Sequence, residues 1–364
     1  VTTKSAIYNL QSTIMPSPLV SIIILNWNGR RYLEGCLSSL WAQTFREFEV
    51  VLVDNGSADG SVEFVRARFA DWLEGPALGL KLVELAQNEG FSGGNLAGLE
   101  HCNPSSRYIA TLNNDTEAEP DWLAKLVEAM EAAPNYGAAC GPMLFASERG
   151  VGNPRLASAG IEVRRDGLAV DRQLGQPWQP GGPPLEIFGP CAGAALYRRK
   201  ALDEVGFFDP AFFAYLEDAD LAWHLRLAGW PTLYLPEAKV WHEYSGTGGQ
   251  GSPFKSFQLG RNRLWVILKN WPGALLWRHG WRIIGYDLLV CAYTLFKGNP
   301  HSARGRLAAL HPRHWRRIRE QRRIIQARRV ATLAELERWL RQPVTPAETI
   351  RQQKTANELA ATQL

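Results

Sequence analysis

Cysteine is scarce in this 364-residue chain and never clustered. Cys36, Cys102, Cys140, Cys191 and Cys291 form no CxxC pair and are odd in number. That argues against a disulfide framework or a structural zinc site and fits a reducing cytoplasm. No charged-then-apolar leader opens the chain, so Val1 to Pro18 reads as a disordered lead-in, with Met15 a candidate natural start. A membrane-spanning run is missing too: Arg278, His279, Arg282 and Asp287 interrupt the tryptophan-rich stretch 264–296. Acids are nearly absent from residues 261–330, where sixteen Lys/Arg face only Asp287 and Glu320, a balance of +14 in a chain of net charge +4. The first 260 residues are left at −10. An acidic front and a basic back suggest a catalytic body and a surface for something anionic, nucleic acid or lipid on charge alone. The large apolar residues between the charges favour an interfacial helix over a nucleic-acid arm, and no nucleic-acid recognition fold is visible.

What is present is a regular alternation. Apolar, β-branched runs at Leu19–Leu25, Glu49–Val53, Lys81–Leu85 and Tyr108–Leu112 read as buried parallel strands. Helical patterns follow them, carrying Leu33, Leu37 and Leu40, then Val62, Val65 and Phe69, then Leu123, Leu126, Val127 and Met130 behind Pro120. The predicted fold class is therefore α/β, a doubly wound and mostly parallel sheet with helices on both faces. Between 147 and 190 glycine and proline cluster around a hairpin signal at Arg165-Asp166-Gly167, marking a long irregular insertion of the kind that often shapes a site. A helix is expected over about 218–227 and a strand over 232–235. The division reads as a lead-in (1–18), a catalytic domain (19–260, including the 147–190 insertion), a helical, basic, aromatic-rich region (261–340) and a flexible tail (341–364).

Ligands of open α/β sheets bind beyond the carboxyl ends of the strands. Three strands here end in polar clusters: Asn26-Trp27-Asn28, Asp54-Asn55 and Asn113-Asn114-Asp115-Thr116. One such cluster could simply cap the next helix; three in succession point to a site. A carboxylate such as Asp54 suits a base edge or ribose hydroxyl, and Asp115 offers a hard oxygen to Mg²⁺ or Mn²⁺. Gly93 and Asn95 lie in a glycine-rich turn, Glu89 to Asn95, suited to close approach by a phosphate or sugar, although a plain tight turn also accounts for the glycines. Glu217, Asp218 and Asp220 gather at a helix start, where the dipole keeps a carboxylate ionised for proton abstraction; acids are also common there for dipole reasons alone. His242 follows a strand as a candidate metal or diphosphate ligand, with Gly246, Gly248, Gly249 and Gly251 beyond it as a candidate mobile lid.

These motifs together (VSIIILNWNG, FEVVLVDNGSADGS, NEGFSGGNLAG, YIATLNNDTEAEPDWL, FFAYLEDADLAWHLRLAGW, EAKVWHEYSGTGG, RNRLWVILKNWP and RRIIQARRVATLAELERWL) resemble the family 2 glycosyltransferases of GT-A fold, especially the bacterial rhamnosyltransferase-like branch. The resemblance runs from about Val20 to Leu340. It implies a metal-dependent inverting transferase with Mg²⁺ or Mn²⁺ as cofactor and a dTDP- or UDP-sugar as donor, dTDP-L-rhamnose being favoured by the branch. It implies Asp54 at the nucleotide base beside Trp27, Asn113, Asn114 and Asp115 in place of the Asp-x-Asp motif, and Asp218 as catalytic base. Glu217 would shape the acceptor site, His242 would support the metal-diphosphate, and Arg261 would contact a diphosphate or acceptor phosphate. The acceptor would be a saccharide or polyprenyl-linked sugar in cell-surface polysaccharide synthesis, with the protein peripheral on the cytoplasmic face of an anionic membrane. A homodimer is compatible with the chain. The competing expectation is a non-catalytic GT-A scaffold; loss of Asp115 or Asp218 would favour it, and both are present.

Overall fold

The computed structural model describes residues 17–73, 79–244 and 252–361. The long apolar runs form β1 (Val20–Asn26), β2 (Phe48–Asp54), β3 (Leu80–Glu84) and β4 (Tyr108–Asn113). Shorter strands follow: β5 (Thr116–Ala118), β6 (Ala138–Cys140), β7 (Met143–Phe145), β8 (Leu156–Ser158), β9 (Ile161–Arg164), β10 (Ala169–Asp171), β11 (Leu185–Ile187), β12 (Ala194–Arg198), β13 (Thr232–Tyr234), β14 (Val240–His242) and β15 (Leu340–Arg341). Eight of them build a central sheet in the order β11-β13-β6-β12-β4-β1-β2-β3. The four long strands are mutually parallel, whereas β12 runs antiparallel to both β4 and β6.

Helices cover both faces. Ile22, Ile24, Val50 and Leu52 face a core shared with α1 (Arg30–Trp41), α2 (Ser61–Arg68), α3 (Ala70–Leu73) and α5 (Trp122–Ala132). Ile23, Val51 and Val53 point the other way, into a core with α4 (Gly90–His101), α6 (Arg199–Val205) and α7 (Glu217–Leu227). This alternation follows from the period-two geometry of strands, each residue being buried because both faces are covered. The glycines of α4 serve that packing: a Cβ at Gly94 would lie 2.3 Å from Leu25 Cδ1, and one at Gly98 2.5 Å from Ile23 Cγ2.

The insertion is more ordered than its composition predicts. It contributes β8 to a four-stranded sheet (β5-β14-β7-β8), and the β9–β10 hairpin turns at the expected Arg165-Asp166-Gly167. The C-terminal region is helical, as expected, and packs on the catalytic domain. Helices α8 (Pro253–Asn270), α9 (Gly273–Phe296), α10 (His301–Ala309), α11 (Trp315–Ala327) and α12 (Leu333–Trp339) share one core with α7 and β9, centred on Trp223, Trp265 and Trp271. β15 then pairs with β9. The expected tail instead forms α13 (Pro346–Ala361), with Ala356 fully buried. The glycine-rich lid residues 246–251 fall outside the described residues. Among those described, no helix is long and apolar enough to cross a membrane.

Candidate active site

The parallel register brings the polar strand ends to one edge. Asn26 stands opposite Asp54, and Leu25 opposite Asn113. Asn114 Nδ2 donates to Asn26 Oδ1 at 2.7 Å, and Asn26 Nδ2 donates to Asp54 Oδ1 at 3.1 Å. The amide of Ser57 donates to Asp54 Oδ2 at 2.9 Å. Asn28 adopts a positive φ of 50° and its Oδ1 accepts from the Ala58 amide at 2.8 Å. Gly29 lets these groups approach: a Cβ there would lie 2.1 Å from Asn114 Nδ2.

Above this edge lies a cavity of about 370 Å³. Trp27, Asn113, Asn114, Asp115, Glu217, Asp218 and His242 all line it. The remaining expected site residues stand outside this lining. Asn26, Asn28 and Asp54 form the buttress just described. Gly93 sits within α4, where a Cβ would meet Glu89 Cβ at 2.9 Å, and Asn95 Nδ2 donates to Phe91 O at 2.9 Å, so these two residues pack within the helix while Gly90 and Phe91 of the same turn line the cavity. Arg261 is the clearest correction: its guanidinium donates to the carbonyls of Ala211 and Phe212 at 3.1 and 2.9 Å and lines neither the cavity nor its neighbour.

Asp115 and His242 meet because β14 pairs with β5, setting His242 opposite Thr116. His242 Nε2 lies 3.4 Å from Asp115 Oδ1, and its buried Nδ1 has no hydrogen-bond partner among the described residues. Burial opposes the imidazolium charge, but the Asp115 carboxylate outweighs it and raises the His242 pKa. A carboxylate oxygen and an imidazole nitrogen at a cavity wall fit Mg²⁺ or Mn²⁺. No group of three His, Cys, Asp or Glu side chains placed to hold a metal occurs among the described residues, so diphosphate oxygens would have to complete the shell.

The two acids of α7 differ. Glu217 is buried, and burial together with the Asp218 charge raises its pKa well above the carboxylate range. Asp218 is half-buried; burial and the nearby Asp171 raise its pKa to about 6. The Ala219 and Ala192 amides donate to its Oδ1 and Oδ2 at 2.7 and 3.3 Å and favour its ionised form. Asp218 is therefore the less buried of the two acids and the one whose carboxylate oxygens accept from two backbone amides.

Asp171, Cys191 and Lys255 also line the cavity and were not among the expected site residues, and Tyr215 lines it at the start of the acidic motif. Asp171 ends the three-residue β10 inside the insertion, where nothing local distinguishes it from any other acid. A second cavity of about 510 Å³ shares Asp171, Tyr215, Glu217 and Asp218 with the first. It continues between the β9–β10 hairpin and α8–α10, past Leu168, Val170, Leu259, Tyr286, Val290 and Thr294.

A doubly wound sheet with polar strand ends, a carboxylate–imidazole pair and a basic carboxylate across one cavity defines a nucleotide-sugar-dependent transferase of GT-A type. Residues 21–206 match Glycosyl transferase family 2, and the chain belongs to that family. It is 27% identical over 256 residues to the N-acetylglucosaminyl-diphospho-decaprenol L-rhamnosyltransferase of Mycobacterium tuberculosis, covering 64% of this chain and 78% of that protein. Its fold resembles GalNAc-T7 solved with UDP, GalNAc and Mn²⁺ (TM-score 0.56, 17% identity, 71% of this chain and 49% of that one). It also resembles S. aureus TarS 1-349 in complex with UDP-GlcNAc (TM-score 0.51, 17% identity, 85% and 90%). The chain thus spans about half of GalNAc-T7 and about four fifths of the rhamnosyltransferase. It is a family 2 glycosyltransferase that uses a nucleotide-sugar donor.

Proposed function

We propose that the protein is an inverting glycosyltransferase that moves L-rhamnose from dTDP-L-rhamnose to a lipid-linked saccharide, with Asp218 as base. The observation that carries this reading is the position of Asp218 in the shared wall of two cavities, one walled by the donor-type residues and one running on between the β9–β10 hairpin and α8–α10. In this reading the acceptor hydroxyl gives its proton to the Asp218 carboxylate as its oxygen bonds the anomeric carbon. The bond from that carbon to the diphosphate oxygen breaks, and its electron pair leaves with the nucleoside diphosphate. Attack from the face opposite the leaving group inverts the anomeric centre.

Asp115 and His242 would hold Mg²⁺ or Mn²⁺, whose chemistry is to neutralise charge developing on the diphosphate. Asn113 and Asn114 line the same cavity, and Trp27, 40% exposed at the cavity rim, is available to stack on the base. Asp54 would act mainly by fixing Asn26 and Asn114 beneath it. Glu217, whose carboxyl burial pushes above the usual range, lines both cavities and would shape the acceptor site.

The second cavity supports an amphiphilic acceptor. Tyr286, Val290 and Thr294 of α9 line it at successive helical turns, while Trp277, Trp281, Leu288, Leu289 and Phe296 of the same helix face outward. One helix therefore carries an apolar stripe toward Asp218 and another into the surroundings. That arrangement suits a peripheral position on the cytoplasmic face of an anionic membrane, where a polyprenyl-linked sugar is presented.

The test uses purified full-length protein with dTDP-L-rhamnose, UDP-sugars and Mn²⁺. Asp218→Asn is expected to keep donor binding by calorimetry and to lower transfer by roughly 10²–10⁴-fold. Asp115→Ala is expected to remove metal-stimulated binding of the nucleoside diphosphate. Full activity of Asp218→Asn alongside an inactive Glu217→Gln would reassign the base, and turnover confined to a UDP-sugar would reassign the donor.

A further inference from the structure

The segment preceding α7 adopts an unfavourable backbone conformation, and one buried side chain, Asn262, reaches three of its carbonyls. Phe213, Tyr215 and Leu216 all have positive φ (63°, 72° and 68°), a region that bulky L-residues rarely occupy. Tyr215 lines both cavities, and Glu217 and Asp218 follow immediately. Asn262 of α8 is fully buried beneath this turn. Its Nδ2 donates to the carbonyls of Phe212, Ala214 and Tyr215 at 3.0, 2.9 and 2.8 Å. Its Oδ1 accepts from Arg261 Nε at 2.9 Å, and the Arg261 guanidinium holds the Ala211 and Phe212 carbonyls beside it. On the opposite side the Ser92 amide donates to Phe213 O at 3.0 Å, and a Cβ at Gly90 would lie 2.4 Å from that oxygen.

We infer that Asn262 is a positioning residue for the transfer reaction: its amide clamps the strained 213–216 turn and so sets where Tyr215 and the Asp218 carboxylate stand. Three carbonyl oxygens converge on one point, and only a donor group relieves their mutual repulsion there. An oxygen in place of Nδ2 would add a fourth acceptor. Leu216, left without the clamp, moves toward negative φ, and the start of α7 moves with it. A displacement of about 1 Å in a reacting group can cost about 10²-fold in rate.

This inference rests on Asp218 being the base, and the experiment separates the two. Asn262→Asp preserves shape and removes the donor; Asn262→Ser keeps one donor. Steady-state kinetics should give kcat in the order wild type, Asn262→Ser, Asn262→Asp, with the aspartate variant about 10²-fold down and the donor KM within about twofold. Adding Leu216→Gly to Asn262→Ser should recover kcat several-fold, because glycine adopts positive φ without strain. Wild-type kcat in Asn262→Asp, or no recovery with Leu216→Gly, overturns the inference. If Asn262→Asp fails to fold, Asn262→Ser carries the test, and an unchanged kcat there overturns it. An active Asp218→Asn protein would instead overturn the assignment of the base.

Discussion

Helices α8 and α9 are adjacent, basic and rich in tryptophan, yet their side chains meet opposite fates. In α8, Trp265 is 1% exposed, and Trp271 just beyond its end is fully buried. In α9, Trp277 is 91% exposed and Phe296 86%. The cations divide in the same way. Lys269 is buried between Asp209 and Asp220 at 2.8 and 2.7 Å, and Arg263 is buried against Asp287 at 2.7 Å. Arg278 and Arg282 of α9 stand nearer solvent, although Arg278 meets Glu337 at 2.7 Å. Composition alone does not decide whether a basic aromatic helix is a core element or an interface. Acids on other elements decide it for α8, and among the described residues no element covers the outer stripe of α9.

The largest expected effect that would sharpen this contrast comes from Lys269→Met. It takes the lysine from buried Asp220, leaves Asp209 with Arg317 alone as its cation, and should cost about 3–5 kcal/mol, read as a lowered denaturation midpoint with full-length protein. Burial alone would raise the Asp209 carboxyl, but Lys269 and Arg317 outweigh it and hold its pKa well below the usual range. A depressed carboxyl stabilises the fold above its unfolded pKa of about 3.9 and loses that contribution as pH falls toward the folded value. The difference between Lys269→Met and wild type should therefore narrow in acid. A midpoint unmoved by the substitution would place α8 with α9 as a peripheral element.

A smaller effect concerns chemistry. Because Asp218 must be ionised to accept a proton and its pKa is raised to about 6, kcat should fall about tenfold per pH unit below that value. Trp277→Ser/Trp281→Ser on α9 should leave this acidic limb in place with a soluble acceptor. A shift of the limb on changing α9 would break the separation between the two helices.

The smallest effect tests the proposed interface. Arg282→Gln should weaken partitioning onto anionic vesicles by about fivefold at low salt, the weight of about 1 kcal/mol per basic residue near the surface. Its denaturation midpoint should not move. Equal flotation of wild type and the Trp277→Ser/Trp281→Ser protein would return the outer face of α9 to the solvent and the acceptor to a soluble saccharide.

Much of the catalytic half was legible from local pattern. The β1, β2 and β4 runs, the polar ends Asn26, Asp54 and Asn113 to Asp115, and the Glu217-Asp218 helix start all carry short-range signals of apolar period and capping chemistry. The parallel register then brings strand ends together with little freedom. Arg261, Asn262 and Asp171 were not legible in that way. Arg261 and Asn262 face carbonyls about fifty residues away, and Asp171 reaches the cavity only because the β9–β10 hairpin folds back on α7 and α8. The glycines of α4 gave a true signal of close approach, but the groups approaching Gly94 and Gly98 are Leu25 and Ile23, and of the turn's three glycines only Gly90 lines the cavity.

The sequence by itself therefore determined the doubly wound sheet, its polar edge, and the acids and histidine available for transfer chemistry, because these depend on periodicity and on residues within a few positions of each other. Tertiary structure decided which acid of the α7 pair is buried and which accepts backbone amides, which of the basic residues between 261 and 330 are internal, and which tryptophans are core. Those outcomes depend on burial and on charges brought close from far along the chain, and neither property is local to any segment.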